Sequence, residues 1–232
     1  MSMPEPARPA ADWAESIRRR YLAVDTSNVA DVLDQMGLWD QGLHASFAPY
    51  PAEAGRLAGW AYTIRGQMAP YEGTGDSAKM QACQGLSAGE VSVWSGDGAG
   101  ICYFGELIAL GMKERGAVGA LVDGGVRDVR WLAEHGFPVY ARYRTPVQSI
   151  GRWRVTGYQE PVYLAGATSA RVKVSPGDFI LGDEDGVLVV PRAQVEEVLV
   201  GAERLTRTEV AIRDELAKGL TLRQALDKFG HV

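Results

Sequence analysis

GAVGALVDGGVRDVRWLAEHGFPVYAR, residues 116–142, decides the fold. Val118 to Val122 is a short apolar run beside glycine and reads as a buried strand. It delivers the chain to Asp123-Gly124-Gly125, where two glycines permit a positive φ or the close approach of a ligand. Asp128 to His135 then reads as a helix, and Pro138 introduces a second strand, Val139 to Tyr143. Strands alternating with short helices predict βαβ units and a parallel sheet. Sites in such sheets form beyond the carboxyl ends of the strands. Arg127 and Asp128 stand at that end.

The preceding segment has the same organisation. A strand, Val91 to Trp94, runs into the glycine-rich turn SGDGAG, residues 95–100, and a helix is predicted over Phe104 to Glu114. Unpaired N–H groups of Glu106, Leu107 and Ile108 at its start would make a positively polarised anion site. The two helix starts follow successive strand-like segments, which predicts that they face one another across adjacent loops. One cleft would then hold an anion receptor, a guanidinium and the carboxylates of Glu106 and Asp128. Such a cleft suits a small 2-oxo acid with a hard divalent cation. It lacks the phosphate loop that a nucleotide would need. Read alone, Asp128 is equally a helix N-cap and Arg127 its surface partner.

Working outward, helices are predicted from Asp12 to Leu22, from Asn28 to Met36 after a cap at Thr26 or Ser27, and from Asp76 to Leu86. Arg56 to Ile64 reads as β structure. Beyond residue 145 the pattern turns to short strands: Pro161 to Leu164, Arg171 to Val174, Phe179 to Leu181 and Val187 to Val190. A long amphipathic helix, Arg192 to Lys218, precedes a last one capped by Thr221. The long helix exceeds what so small a core can cover, so part of it is predicted to pack on another subunit of a homo-oligomer. Residues 1–10 read as a loose arm.

Composition excludes several classes of function. The 232 residues carry 46% hydrophobic and 23% charged side chains, as ordinary globular proteins do. A net charge of -5 gives no electrostatic reason to bind nucleic acid or an anionic membrane. No apolar run reaches the roughly 18–20 residues that span a bilayer, and the first residues lack the order of a secretion signal. Two cysteines, Cys83 and Cys102, fit a reducing, cytoplasmic setting better than a disulfide framework. The three histidines are scattered, which argues against a zinc site built on them.

Other motifs have plainer readings. Gly85-Leu86-Ser87-Ala88-Gly89 matches a nucleophile elbow, but helix precedes and strand follows, the reverse of what an elbow needs. Asp183-Glu184-Asp185-Gly186 reads as a turn between strands. Lys79 is the candidate for a Schiff base, although a helical lysine is usually solvated. His135, Cys83, Cys102, Trp94, Trp131 and Trp153 read as helix-end or packing residues.

Gly105-Glu106-Leu107-Ile108, then Asp123-Gly124-Gly125-Val126-Arg127-Asp128, then Gly136-Phe137-Pro138-Val139, together resemble the RraA-like family. The resemblance spans about residues 26–190, from TSNVADVLDQMG through AGEVSVWSG to GDEDGVLVVP. It implies an α/β fold of the swivelling β/β/α type with helical N- and C-terminal extensions. Residues 1–25 would be the arm and first helix, 26–190 the catalytic domain, and 191–232 the helices at a subunit interface. The implied activity is that of the 4-hydroxy-4-methyl-2-oxoglutarate and 4-carboxy-4-hydroxy-2-oxoadipate aldolases, which also decarboxylate oxaloacetate.

The resemblance also implies roles. Asp128 would be the only direct protein ligand of Mg²⁺ or Mn²⁺. Arg127 would bind substrate oxygens and stabilise the enolate, and Glu106 would hold the water that moves protons. Gly105 and the amides of Leu107 and Ile108 would line the place of the pyruvate carboxylate. A glutamate from a neighbouring subunit's C-terminal helix, Glu203 or Glu209, would reach the metal through water, in a trimer or a hexamer of two trimers. Members that regulate ribonuclease E lack the metal aspartate, which this chain keeps as Asp128. Residues 66–85 match the family's helix only loosely, which leaves the substrate open, with sugar-derived 2-oxo acids as an alternative.

Overall fold

The strand that leads to Arg127 runs straight through both glycines: β5 spans Gly119–Val126, buried throughout. A computed structural model describes residues 9–96 and 98–231. The expected arm at residues 1–10 lies, but for its last two residues, outside the described residues.

A parallel spine forms the centre of the sheet. β2 (Leu57–Met68), β3 (Glu90–Ser95), β5 and β6 (Val139–Arg144) lie side by side in that order. Antiparallel strands complete it. β1 (Ala48–Tyr50) joins β6, while β10 (Phe179–Asp183) joins β2 and carries β11 (Gly186–Val190). β7 (Trp153–Tyr158) also pairs with β2. A separate two-stranded ribbon holds β8 (Val162–Ala165) and β9 (Arg171–Val174). The fold is therefore mixed α/β, as expected, with more antiparallel pairing than alternation of strand and helix alone implies.

One short strand positions the site. β4 (Cys102–Phe104) pairs in parallel with β5 at Gly125 and Val126, whereas β3 pairs with β5 at Gly119–Val122. β6 occupies the opposite edge of β5, so β4 extends the edge that β3 leaves. The helix expected from Phe104 therefore begins later, as α4 (Glu106–Lys113), with Gly105 at its N-cap. The glycines of β5 serve this strand and not a ligand. A Cβ on Gly124 would lie 2.4 Å from the Tyr103 hydroxyl, and one on Gly125 2.4 Å from the Ile101 carbonyl. Neither has a positive φ.

The core under β4 is aromatic. Tyr103 stacks on Trp153 at 4.3 Å and 4° between planes, and Trp94 meets Phe104 edge to face. Such pairs add about 0.5–1.5 kcal/mol each beyond their burial. Trp94 and Trp153 are core residues, as expected. The second core lies under the terminal helices. α1 (Ala11–Tyr21) and α2 (Thr26–Gln35) bury Ile17, Tyr21, Val29 and Leu33 against β2, β10 and α6 (Val195–Ala217). α6 buries Val195, Val198, Leu199, Ala202 and Ile212, and α7 (Leu222–Phe229) packs on it with the expected Thr221 cap. Val200 and Val210 remain exposed on α6. Asp183 and Gly186 face each other across the β10–β11 turn, so the acidic cluster there is a hairpin. Asp183 also accepts hydrogen bonds from the Thr26 amide and hydroxyl. No helix among the described residues is long and apolar enough to cross a membrane.

Candidate active site

The two predicted helix starts meet. The Glu106 amide donates to Asp128 Oδ2 at 3.0 Å, and the Arg127 amide donates to the Phe104 carbonyl at 3.1 Å. Both contacts follow from the ladder between β4 and β5, which brings the chain exits at Gly105 and Arg127 side by side. Gly105 is required there. A Cβ would stand 2.6 Å from Asp128 Oδ2 and 2.9 Å from Arg127 Cγ.

Asp128 sits at the N-cap position of α5 (Val129–Glu134) but does not cap it. Its backbone is left-handed, with φ 58 and ψ 35, a conformation that aspartate tolerates better than most residues. The carboxylate is turned instead toward α4, with Arg127 Nε at 3.4 Å from Oδ2. Its other oxygen, Oδ1, makes no hydrogen bond among the described residues, nor do the terminal nitrogens of Arg127.

These groups line one cavity of about 630 Å³. Gly105, Leu107, Ile108, Arg127 and Asp128 form one wall, and Lys79, Met80, Gln148 and Ser149 contribute to the remainder. The Leu107 and Ile108 amides have no acceptor among the described residues, so they are available to an anion. The Glu106 amide is not, because Asp128 has taken it; the expected three-amide receptor is a two-amide one. The Glu106 side chain is half-buried and does not line the cavity, although residues on both sides of it do.

A hard cation fits this donor set. Among the described residues no cluster of three His, Cys, Asp or Glu side chains occurs. What is present is one carboxylate with a free oxygen at the wall of an open cavity. That suits a small divalent ion that keeps most of its water and takes further oxygens from a substrate.

Neither Glu203 nor Glu209 lines this chain's cavity. Glu203 is held by Arg20 through two bonds of 2.7 and 2.9 Å, which lowers its carboxyl pKa. Glu209 has looser partners: Asn28 at 3.4 Å, Arg213 at 3.6 Å and His231 at 3.8 Å.

Lys79 overturns the sequence-based reading of a solvated helical lysine. It lies on α3 (Ser77–Gln84), is 9% exposed, and donates from Nζ to the Tyr103 carbonyl at 2.5 Å. Its ammonium stands over the Trp94 and Trp153 rings, at 5.5 and 5.9 Å from their centres. Burial pushes its pKa down to about 8, partly opposed by Cys83 and Asp76. Residue spacing could not reveal this, because the rings come from β3 and β7. Cys83 and Cys102 are packing thiols, both raised in pKa by burial. His135 stacks on Trp131 at the end of α5, away from the cavity.

Known proteins resemble this chain in sequence and in fold. The chain is 26% identical over 220 residues to Protein DlpA of Legionella pneumophila, covering 94% of this chain but only 34% of that longer protein. It is 28% identical over 215 residues to a putative 4-hydroxy-4-methyl-2-oxoglutarate aldolase of Halalkalibacterium halodurans, covering 91% of this chain and 94% of the relative. An uncharacterized protein from Pseudomonas syringae superposes with a TM-score of 0.82 at 26% identity, over 99% of this chain and all of that one. The RraA-like family, described as Aldolase/RraA, matches residues 26–189, a span that holds both helix starts. The chain belongs to the RraA-like family.

Proposed function

We propose that this protein is a divalent-metal-dependent lyase that cleaves a 4-hydroxy-2-oxo acid to pyruvate and a second carbonyl compound. Oxaloacetate decarboxylation would proceed at the same site, because both reactions leave pyruvate as its enolate. The observation that carries this reading is the hydrogen bond between the Glu106 amide and Asp128, which sets a free carboxylate oxygen, a guanidinium and two free amides around one cavity. The name of the Halalkalibacterium relative agrees with it.

In this reading the Leu107 and Ile108 amides take the C1 carboxylate, with Gly105 giving it room. Asp128 would hold Mg²⁺ or Mn²⁺, and a bound ion would supply Lewis-acid stabilisation of charge on the 2-oxo group. Arg127 places its guanidinium on the developing enolate oxygen. Preorganised donors of that kind are worth about 3–4 kcal/mol each. Glu106, half-buried at the cavity's edge, holds the water that takes the proton from the C4 hydroxyl and later returns one to C3.

The assembly is part of the proposal. A trimer or hexamer would bring a neighbouring copy's Glu209 to the site, and the looser contacts of Glu209 favour it over the Arg20-bound Glu203. The exposed Leu107, beside the cavity at 77% exposure, fits a surface that another copy covers. Unpaired Cys83 and Cys102 agree with a cytoplasmic setting.

The test is pyruvate release from oxaloacetate, and from 4-hydroxy-4-methyl-2-oxoglutarate, by the full chain with Mg²⁺ and then with excess chelator. Chelator-sensitive release is expected. Full activity in chelator would remove the metal, and no release from any 2-oxo acid would favour a protein-binding regulator.

A further inference from the structure

The cavity contains a second cation, and its surroundings in the protein are incomplete. The Lys79 ammonium has three N–H donors, of which the Tyr103 carbonyl accepts one. No carboxylate lies within ion-pair distance of it among the described residues. Asp76 is the closest candidate in sequence, but its two oxygens accept the Lys79 and Val155 backbone amides. Around the ammonium are the Trp94 and Trp153 rings, with Cys83, Asp76, Cys102 and Arg127 the ionisable groups that act on it. Buried ammonium groups are ordinarily paired, since the charged form is costly to strip of water without a counter-charge. This one instead lines an open cavity that also holds Arg127.

We propose that Lys79 is a specificity-determining binding residue, whose ammonium receives a second carboxylate of the substrate, distinct from the one taken by the Leu107 and Ile108 amides. This rests on the reading of the cavity as a 2-oxo acid site. It deepens that reading by naming the residue that would hold the second carboxylate, which oxaloacetate and 4-hydroxy-4-methyl-2-oxoglutarate both carry. A cavity of about 630 Å³ accommodates such a small dicarboxylate with its water.

The two faces of the site impose a clear preference. A monocarboxylic 2-oxo acid satisfies the amides and Arg127 but leaves Lys79 without an anion. A dicarboxylic one satisfies all of them. The charge pairing is made at a lysine that is 9% exposed, where it counts for more than on the open surface.

The test compares two five-carbon probes that differ only in the second carboxylate, 2-oxoglutarate and 2-oxovalerate. Their binding to the full chain in Mg²⁺ is measured by calorimetry, for the natural protein and for Lys79→Met and Lys79→Arg. The natural protein should bind 2-oxoglutarate at least tenfold more tightly. Lys79→Met should erase that ratio and Lys79→Arg should restore part of it, with Lys79→Gln replacing the Met variant if that one does not fold. An unchanged ratio in the neutral variants, with both probes still bound, overturns the role of Lys79 and leaves the site reading standing. Failure of both probes to bind the natural protein overturns the site reading and the role of Lys79 together. A lysine adduct at residue 79 after pyruvate and borohydride would also overturn it, making the amine a nucleophile and not a receptor.

Discussion

Gly105 and Asp128 touch across two loops: the carboxylate of the one fills the space that any side chain on the other would need, 2.6 Å from where a Cβ would stand. Gly105 is extended, with φ -173, so alanine is acceptable to its backbone. Gly105→Ala should therefore fold normally while pushing the carboxylate aside. Pyruvate release should fall tenfold or more, with circular dichroism unchanged. Undiminished turnover would mean that the carboxylate is not needed where it lies.

Asp128→Asn and Asp128→Ala should separate charge from scaffolding. Asparagine keeps an acceptor for the Glu106 amide and tolerates the left-handed backbone, so its stability should match the natural protein. Alanine does neither, and should lose roughly 1–3 kcal/mol in a denaturant titration. Both should lose turnover by at least a hundredfold, together with any rise in melting temperature on adding Mn²⁺.

Arg127→Ala should lower kcat and raise KM together, since the guanidinium is read as touching substrate in both ground and transition states. A loss near a hundredfold in kcat/KM, about 3 kcal/mol, is expected from one preorganised donor. Lysine at this position should recover little, because it lacks the planar fork. A change confined to KM would assign Arg127 to binding alone.

Lys79 predicts a particular dependence of stability on pH. Its folded pKa is lowered to about 8 from 10.5 by burial. Between those values the unfolded chain binds the proton and the folded one releases it, so stability rises with pH across that window. The gain is on the order of 3 kcal/mol by pH 10.5, and below pH 8 the burial penalty is present in full. Stability of the natural protein relative to Lys79→Met, measured by urea unfolding from pH 7 to 10.5, should show this rise. A flat difference would mean that the amine titrates as it does in water.

The two α6 glutamates should differ. Glu203→Gln breaks a half-exposed pair with Arg20 and should cost under about 1 kcal/mol of stability. Glu209→Gln should instead lower turnover about tenfold at unchanged stability. The reverse pattern would exchange their roles.

The site was more legible than the path that builds it. Arg127, Asp128 and the α4 start could be read because each is a local signal, a charged pair or a glycine at the exit of a strand. Their meeting was predicted from strand succession, and holds because β4 pairs with β5. β4 itself was hidden: three residues after a glycine-rich turn carry too little pattern to separate a strand from the helix that follows. β7 was missed because its partner is the far end of β2, Ile64 to Met68, of which the sequence reading included only the first residue. Lys79 was misjudged for the same physical reason. Its burial is made by rings from two distant strands, and nothing within one helix turn of it indicates them.

The left-handed turn at Asp128 also limits what descendants of this chain can become. Glycine and asparagine are the side chains besides aspartate that sustain such a turn cheaply. A lineage abandoning the proposed metal chemistry would thus reach those two first, keeping its architecture while shedding its trade. Branched residues there would demand a remodelled loop, so the route from catalyst to mere scaffold is short in one direction and barred in most others.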